Sequence, residues 1–223
     1  MAVFTPTASE VSSFAEGMCD MYDFARSTEP DVAVFPLRGA YPFSRAYSTI
    51  ASLSNEKVPD MLLLPLGTNR AADTRLESGI TKPQKKRIIE EELGGYLDGH
   101  PDARRIFLVD EVQKGGTILT HSSMIRHMLY QRFAHRNIAL EVCAIEGRKL
   151  FNPSPRYPGA AARHHFHRVQ IENLFTMDRE QFLPSIERRD GDEFHVDINN
   201  GVAFLGVLDE IQALRARCRQ VLA

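Results

Sequence analysis

The sequence predicts an α/β fold: a doubly wound, mainly parallel sheet in a three-layer α/β/α arrangement, with a small irregular hood. Short apolar runs alternate with helical patterns over the first two thirds of the chain, which is typical of a parallel sheet covered by helices. The 223 residues, 43% of them apolar, suffice for one folded domain. We expect a single domain over 1–223, with a core at about 30–146, a C-terminal helix at 203–222, and a candidate hood at 147–200 together with an N-terminal helix at 9–26.

The overall composition excludes several classes of protein. Lys and Arg number 27 against 29 Asp and Glu, so the net charge of −2 is not that of a dedicated nucleic-acid binder. No apolar run reaches the roughly 18 residues that a membrane span needs, and the first residues do not resemble a secretory signal. Three widely spaced cysteines, Cys19, Cys143 and Cys218, indicate reduced thiols in a cytoplasmic protein.

The first elements follow from local signals. Thr7 and Glu10 have the spacing of a helix capping box, and apolar residues recur at helical spacing over 9–26. Residues 31–35 form a short run rich in β-branched side chains, which predicts a strand. A turn and a second helix at 40–53 follow, so the segment is a strand, turn and helix unit.

The second unit begins with a continuous apolar run at 61–66, which predicts a strand buried on both faces of the sheet. Residues 67–82 show no apolar period and predict a long loop. Thr81 and Gln84 have the spacing of another capping box, so a helix is expected over about 82–97.

The third unit is a strand at 105–109, a turn, and a helix whose apolar face runs from 118 to 133. A fourth strand follows at 138–145. The hood segment then carries several prolines, the histidines His164, His165 and His167, and a β-like piece at 194–198. A histidine cluster without a distant Cys or carboxylate partner favours a surface or lid role over a metal site.

The most informative chemistry lies where the third strand ends. Asp110-Glu111 follows the strand at once, and Gly115-Gly116-Thr117 then opens a helix. Glycines let backbone N–H groups approach a phosphate, and a helix N-terminus supplies positive potential. The two acids accept hydrogen bonds from a diol. This arrangement indicates a site for a sugar phosphate.

The segment resembles the signature of the type I phosphoribosyltransferases, an apolar strand followed by two acids and a turn ending in Thr-Gly-x-Thr. The resemblance implies a phosphoribosyltransferase-like, Rossmann-like fold that binds phosphoribosyl pyrophosphate (PRPP). Asp110 and Glu111 would be catalytic residues that hold the ribose diol. The 5-phosphate would be bound by Lys114, Gly115, Gly116, Thr117 and Ile118.

Two registers of this signature stay open. With Asp110-Glu111 as the acid pair, Gly116 falls on the family glycine. With Gly115-Gly116-Thr117 matched to Gly-x-Thr, Lys114 replaces the family threonine and Val109 stands at the first acid. Both registers use the same loop.

Two further loops match the family in order along the chain. Leu37-Arg38-Gly39 follows the first strand where the family has its pyrophosphate-binding loop, and the Arg38 guanidinium would stabilise the departing pyrophosphate as a catalytic group. The long loop after the second strand corresponds to a mobile loop that closes over the pyrophosphate, and Arg70 and Arg75 are its candidate ligand contacts. The basic residues of 67–89 are otherwise expected to form mostly a solvated face, including the basic run at 85–87 on a helix.

The resemblance implies an enzyme that uses PRPP and Mg²⁺ to transfer the phosphoribosyl group to a nucleobase or similar nitrogen nucleophile, with release of pyrophosphate. The metal would be held mainly by PRPP rather than by protein ligands. A non-catalytic regulator that binds PRPP or nucleotides, and a hydrolase of phosphorylated sugars or nucleotides, stay open as alternatives. Expected partners are PRPP, a small acceptor and, as in many family members, a second copy in a homodimer, with no nucleic acid and no membrane.

Overall fold

The computed structural model describes residues 7–37, 39–54, 58–66, 80–112, 116–147, 166–171, 185–188, 194–197 and 209–213. Its helices are α1 (Ala8–Thr28), α2 (Tyr41–Ser54), α3 (Lys82–Ile88), α4 (Gly94–Gly99) and α5 (Gly116–Phe133). Its strands are β1 (Val32–Pro36), β2 (Asp60–Leu64), β3 (Arg105–Val112), β4 (Ala139–Gly147), β5 (Phe166–Ile171), β6 (Ser185–Arg188) and β7 (Phe194–Asp197).

The central sheet is parallel throughout and has the strand order β2-β1-β3-β4-β5. This confirms the predicted α/β class. The chain adds β2 on one side of β1 and β3 on the other, so the direction of sheet growth reverses between β1 and β3. In open α/β sheets such a switch point leaves a crevice beyond the carboxyl ends of the strands, where ligands bind. A separate antiparallel pair, β6 and β7, includes the β-like piece expected near residues 194–198.

Alternating residues of the strands face two different helix layers. In β3, Phe107 and Val109 pack in one core with α1 and α2. Ile106 and Leu108 pack in the other core with α3, α4 and α5. Because strand side chains alternate between faces, Asp110 lies on the α5 side of the sheet and Glu111 on the α1 side.

Two strands differ from expectation in ways that matter for the site. β2 is an edge strand, and its residues 61–63 are only half-buried because they have one neighbouring strand instead of two. The sequence prediction of burial on both faces is therefore wrong for that segment. β3 continues through Val112, beyond the predicted end at residue 109, because β4 pairs with it over that length.

The helix expected over 82–97 is present but not regular. Both predicted capping boxes form, at Thr7 with Glu10 and at Thr81 with Gln84. After α3 the helix widens into a π-helical turn at Ile89–Leu93 before it continues as α4. The Arg132 side chain reaches this region and donates to the Glu90 carbonyl oxygen at 3.0 Å.

β5 lies inside the range predicted as a hood, yet it is the fifth strand of the central sheet. Helix α1 packs on it so closely at Gly17 that an added Cβ would lie 2.5 Å from Ile171 Cγ2. His167 stacks on Phe24 of α1, with ring centroids 3.9 Å apart. His164 and His165 lie outside the described residues. Of the predicted helix at 203–222, residues 209–213 are described and are helical.

Candidate functional site

The candidate site is the crevice between β1 and β3. Their backbone pairing stops at Val34 and Leu108, although β1 continues to Pro36 and β3 to Val112. Beyond that point β3 pairs only with β4 among the described strands. The two carboxyl ends therefore separate at the switch point, and the residues that follow them line the opening.

The turn after β1 meets the end of β3 at Gly39. A Cβ added there would lie 3.3 Å from Glu111 Oε2 and 3.8 Å from Glu111 Cβ. Leu37 anchors this turn, because its side chain is buried and its N–H donates to the Leu64 carbonyl oxygen at 2.7 Å. Arg38 lies outside the described residues. The turn after β1 and an acid at the end of β3, which the sequence assigned to one ligand, thus come together at Gly39 and Glu111.

The two acids of the pair have different surroundings. Asp110 is 4% exposed, whereas Glu111 is half-buried. Asp110 Oδ1 accepts a hydrogen bond from the Glu111 N–H at 2.8 Å, and Asp110 Oδ2 lies 3.2 Å from His121 Nδ1. Glu111 is accordingly the more accessible carboxylate, and Asp110 is held from two sides.

Sequence reasoning did not single out His121. The residue lies on α5 with its side chain 1% exposed, against the face of β3 that carries Asp110. A signal was available, because His121 falls three residues after Ile118 on the apolar face of that helix. A polar residue on such a face needs a hydrogen-bond partner, and here the partner is an acid of the candidate site.

Lys85 corrects the prediction that the basic run at 85–87 is solvated. It is only 8% exposed, because it shares the buried face of α3 with Ile88. Burial lowers the pKa of the Lys85 ammonium, and the charge of Asp110 opposes that lowering. The helix that follows the predicted mobile loop therefore brings a cation into electrostatic interaction with Asp110.

Helix α5 begins next to the acids. Gly116 is its first residue, Thr117 is exposed and Ile118 is buried in the core. The first turn carries no acidic side chain, so nothing on it neutralises the positive end of the helix dipole. Lys114 and Gly115 lie outside the described residues, as do Arg70 and Arg75 of the predicted mobile loop.

A second polar pair joins the carboxyl end of β4 to the middle of β5. Glu146 is 3% exposed, and its Oε1 lies 3.4 Å from Arg168 Nε. Burial raises the pKa of the Glu146 carboxyl, while Arg168 opposes the rise. Glu146 is level with Val112 of β3 in the sheet register, so this pair borders the candidate site on its β4 side.

In the part of the chain that the structure describes, no three His, Cys, Asp or Glu side chains gather as a metal site. Within the same ranges, no helix has both the length and the apolar character needed to cross a membrane.

Comparisons with known proteins find little. No family model matches the chain, and no curated protein does. Among solved structures it is similar to the orotate phosphoribosyltransferase of Francisella tularensis, with 12% identity and a TM-score of 0.37, covering 93% of this chain and 77% of that one. A TM-score this low carries no argument about fold or function. The fold class stands on the strand order of the sheet itself.

Proposed function

We propose that the chain is a phosphoribosyltransferase-like enzyme. It would bind PRPP with magnesium in the β1/β3 crevice and transfer the phosphoribosyl group to a nitrogen nucleophile. The observation that supports this most is the approach of Gly39 to Glu111, because it joins a loop suited to pyrophosphate with an acid suited to the ribose diol. The site also lies at the switch point where open α/β sheets bind their ligands.

In this proposal Glu111 accepts hydrogen bonds from the ribose diol, and Asp110 supports it from behind. The bond between C1 and the pyrophosphate oxygen breaks, and its electron pair leaves with pyrophosphate. The sugar then carries positive charge, which a fixed carboxylate stabilises electrostatically. The lone pair of the acceptor nitrogen forms the new bond to C1.

The 5-phosphate would lie at the start of α5. The backbone N–H groups of Gly116 and Thr117 belong to the first turn, where helix N–H groups lack carbonyl partners within the helix. The Thr117 side chain is exposed and adds a hydroxyl donor. Lys114 and Gly115 complete the proposed phosphate loop.

The pyrophosphate would lie against the turn after β1, and Arg38, Arg70 and Arg75 are the cationic contacts that the family resemblance implies for it. Glu111 fits a magnesium ion brought by PRPP, since magnesium prefers oxygen ligands and takes most of them from phosphates and water. Magnesium bound there would neutralise negative charge on the leaving group. The protein contributes mainly by positioning the reactants.

The test is to incubate the protein with PRPP, magnesium and a panel of nucleobases, and to follow pyrophosphate. Base-dependent release is the expected result. Release without any base would indicate a hydrolase instead, and tight PRPP binding without release would indicate a regulator.

Glu111→Gln is the site variant, and Glu92→Gln on the exposed π-helical turn is its matched control. We expect Glu111→Gln to lower kcat/KM by at least about tenfold, and the control to match wild type. Asp110→Asn is a less specific test, because it also removes a charge beside the buried Lys85. Unchanged kcat/KM in Glu111→Gln would contradict the site assignment.

A further inference from the structure

Three ionisable side chains are buried together on the α5 side of β3, directly behind the candidate site. Asp110, His121 and Lys85 are 4%, 1% and 8% exposed. They come from β3, α5 and α3, so the tertiary packing of two helices on one strand assembles them. Buried charges are costly unless they are paired or hydrogen-bonded, and the contacts of this cluster therefore constrain its protonation.

The hydrogen bond of the cluster defines the tautomer of His121. With Asp110 taken as a carboxylate, which only accepts, the Nδ1 atom, 3.2 Å from Asp110 Oδ2, carries the proton. The other ring nitrogen, Nε2, is buried and has no hydrogen-bond partner among the described residues. An imidazolium would bury an unpaired charged N–H there, which costs more than a buried lone pair. The geometry favours the neutral Nδ1–H form.

Lys85 supplies the positive charge of the cluster. Its side chain comes from α3, and the charge of Asp110 acts on it. Asp110 therefore interacts with a cation from α3 as well as with the imidazole of α5. The other oxygen of the Asp110 carboxylate, Oδ1, accepts a hydrogen bond from the Glu111 N–H. The orientation of Asp110 is therefore coupled to the backbone of Glu111, the more accessible acid.

We propose that His121 is a positioning residue, which acts as a neutral Nδ1–H donor to orient Asp110 and, through the Asp110 bond to the Glu111 N–H, sets Glu111 for the sugar diol. Lys85 supports the same arrangement by its charge. This inference rests on the proposed function for its ligand, but the tautomer and the hydrogen bond are properties of the ligand-free protein.

The first experiment therefore needs no ligand. The protein is labelled with ¹⁵N-histidine, and the ring nitrogens are recorded near neutral pH, with His121→Asn used to assign the His121 signals. The expected spectrum has a protonated Nδ1 and an unprotonated Nε2. A protonated Nε2, in either the neutral or the charged ring, overturns the proposal whatever the substrate is.

The second experiment measures PRPP binding in the presence of magnesium by calorimetric titration. His121→Asn keeps an N–H donor close to the position of Nδ1, whereas His121→Leu leaves Asp110 without that donor. We expect His121→Asn to bind within about threefold of wild type and His121→Leu to bind at least about tenfold more weakly. His127→Leu, at an exposed position of the same helix, is the matched control and should bind as wild type does.

Thermal unfolding of each variant separates positioning from a structural role. If His121→Leu melts at a lower temperature but binds PRPP as tightly as wild type, His121 only fills the core and the proposal fails. If His121→Leu does not fold, the comparison of His121→Asn with wild type and the ring-nitrogen spectrum decide. If wild type itself does not bind PRPP, the proposed function fails, while the spectrum still tests the hydrogen bond.

Discussion

The Gly39→Ala substitution adds one methyl group between the two loops of the crevice. The new Cβ would lie 3.3 Å from Glu111 Oε2, so the carboxylate must move by a few tenths of an ångström. The φ angle of Gly39 lies outside the left-handed region, so alanine brings no backbone strain. Among the described residues, the side chain that the new Cβ contacts is that of Glu111.

The expected effect on folding is small, because the displaced atom is the end of a flexible side chain. We expect the free energy of unfolding to change by less than about 1 kcal/mol. In the proposed PRPP complex the ribose would fix the same carboxylate, so a charge-assisted hydrogen bond would be lost or lengthened. That corresponds to about 1.4 kcal/mol, or tenfold weaker PRPP binding.

Calorimetric titration with PRPP and magnesium measures the affinity, and urea unfolding measures stability on the same samples. Gly95→Ala is the matched control, because an added Cβ there meets no atom of the described residues within 4 Å. If Gly39→Ala binds PRPP as tightly as wild type, the Gly39–Glu111 contact is not part of the ligand site and the reasoning is refuted.

Three further predictions test the fold around the site. Gly95→Ala should raise the free energy of unfolding, measured in urea, by about 0.5–1 kcal/mol, because alanine favours the helix and its Cβ meets no atom of the described residues. A loss of stability would contradict this. Gly17→Ala should lower it by about 1–3 kcal/mol, because its Cβ would lie 2.5 Å from Ile171 Cγ2; unchanged stability would mean that α1 does not pack on β5. Burial raises the pKa of the Glu146 carboxyl above its usual 4.5 in the folded protein, and Arg168 opposes that rise. The protonated carboxyl therefore contributes its full stability at pH values below the unfolded pKa, and this contribution is lost as the pH rises through the folded pKa. As the pH rises from about 4 to about 7, the free energy of unfolding of wild type, measured in urea, should therefore fall relative to that of Glu146→Gln. A difference between the two proteins that stays constant over this range would refute the raised pKa of Glu146.

The fold was predictable where burial leaves a repeating pattern in the sequence. Strands covered on both faces, such as β1 and β3, appear as continuous apolar runs. β5 was missed because it is an edge strand: Val169 and Ile171 are buried, but Arg168 and Gln170, which alternate with them, are exposed. Its pattern alternates, and it lies within a segment rich in proline and histidine that favoured an irregular hood.

The site was predictable only in its local part. Asp110 and Glu111 are followed within a few residues by glycines and the start of a helix, so one short segment of sequence is enough to indicate a sugar-phosphate site. His121 and Lys85 belong to that site through tertiary packing, because α5 and α3 bring them to the same face of β3. On the sequence alone, each resembled an ordinary residue of its helix.

The most direct test of the central claim is to map PRPP on the protein by amide chemical shifts, with magnesium present. Binding in the β1/β3 crevice predicts the largest changes at the amides of Gly39, Glu111 and Thr117. Changes confined to the amino ends of β1 and β3, where the Asp31 carboxylate accepts from the Arg104 and Arg105 N–H groups, would contradict it. No change at any amide at millimolar PRPP would contradict it equally.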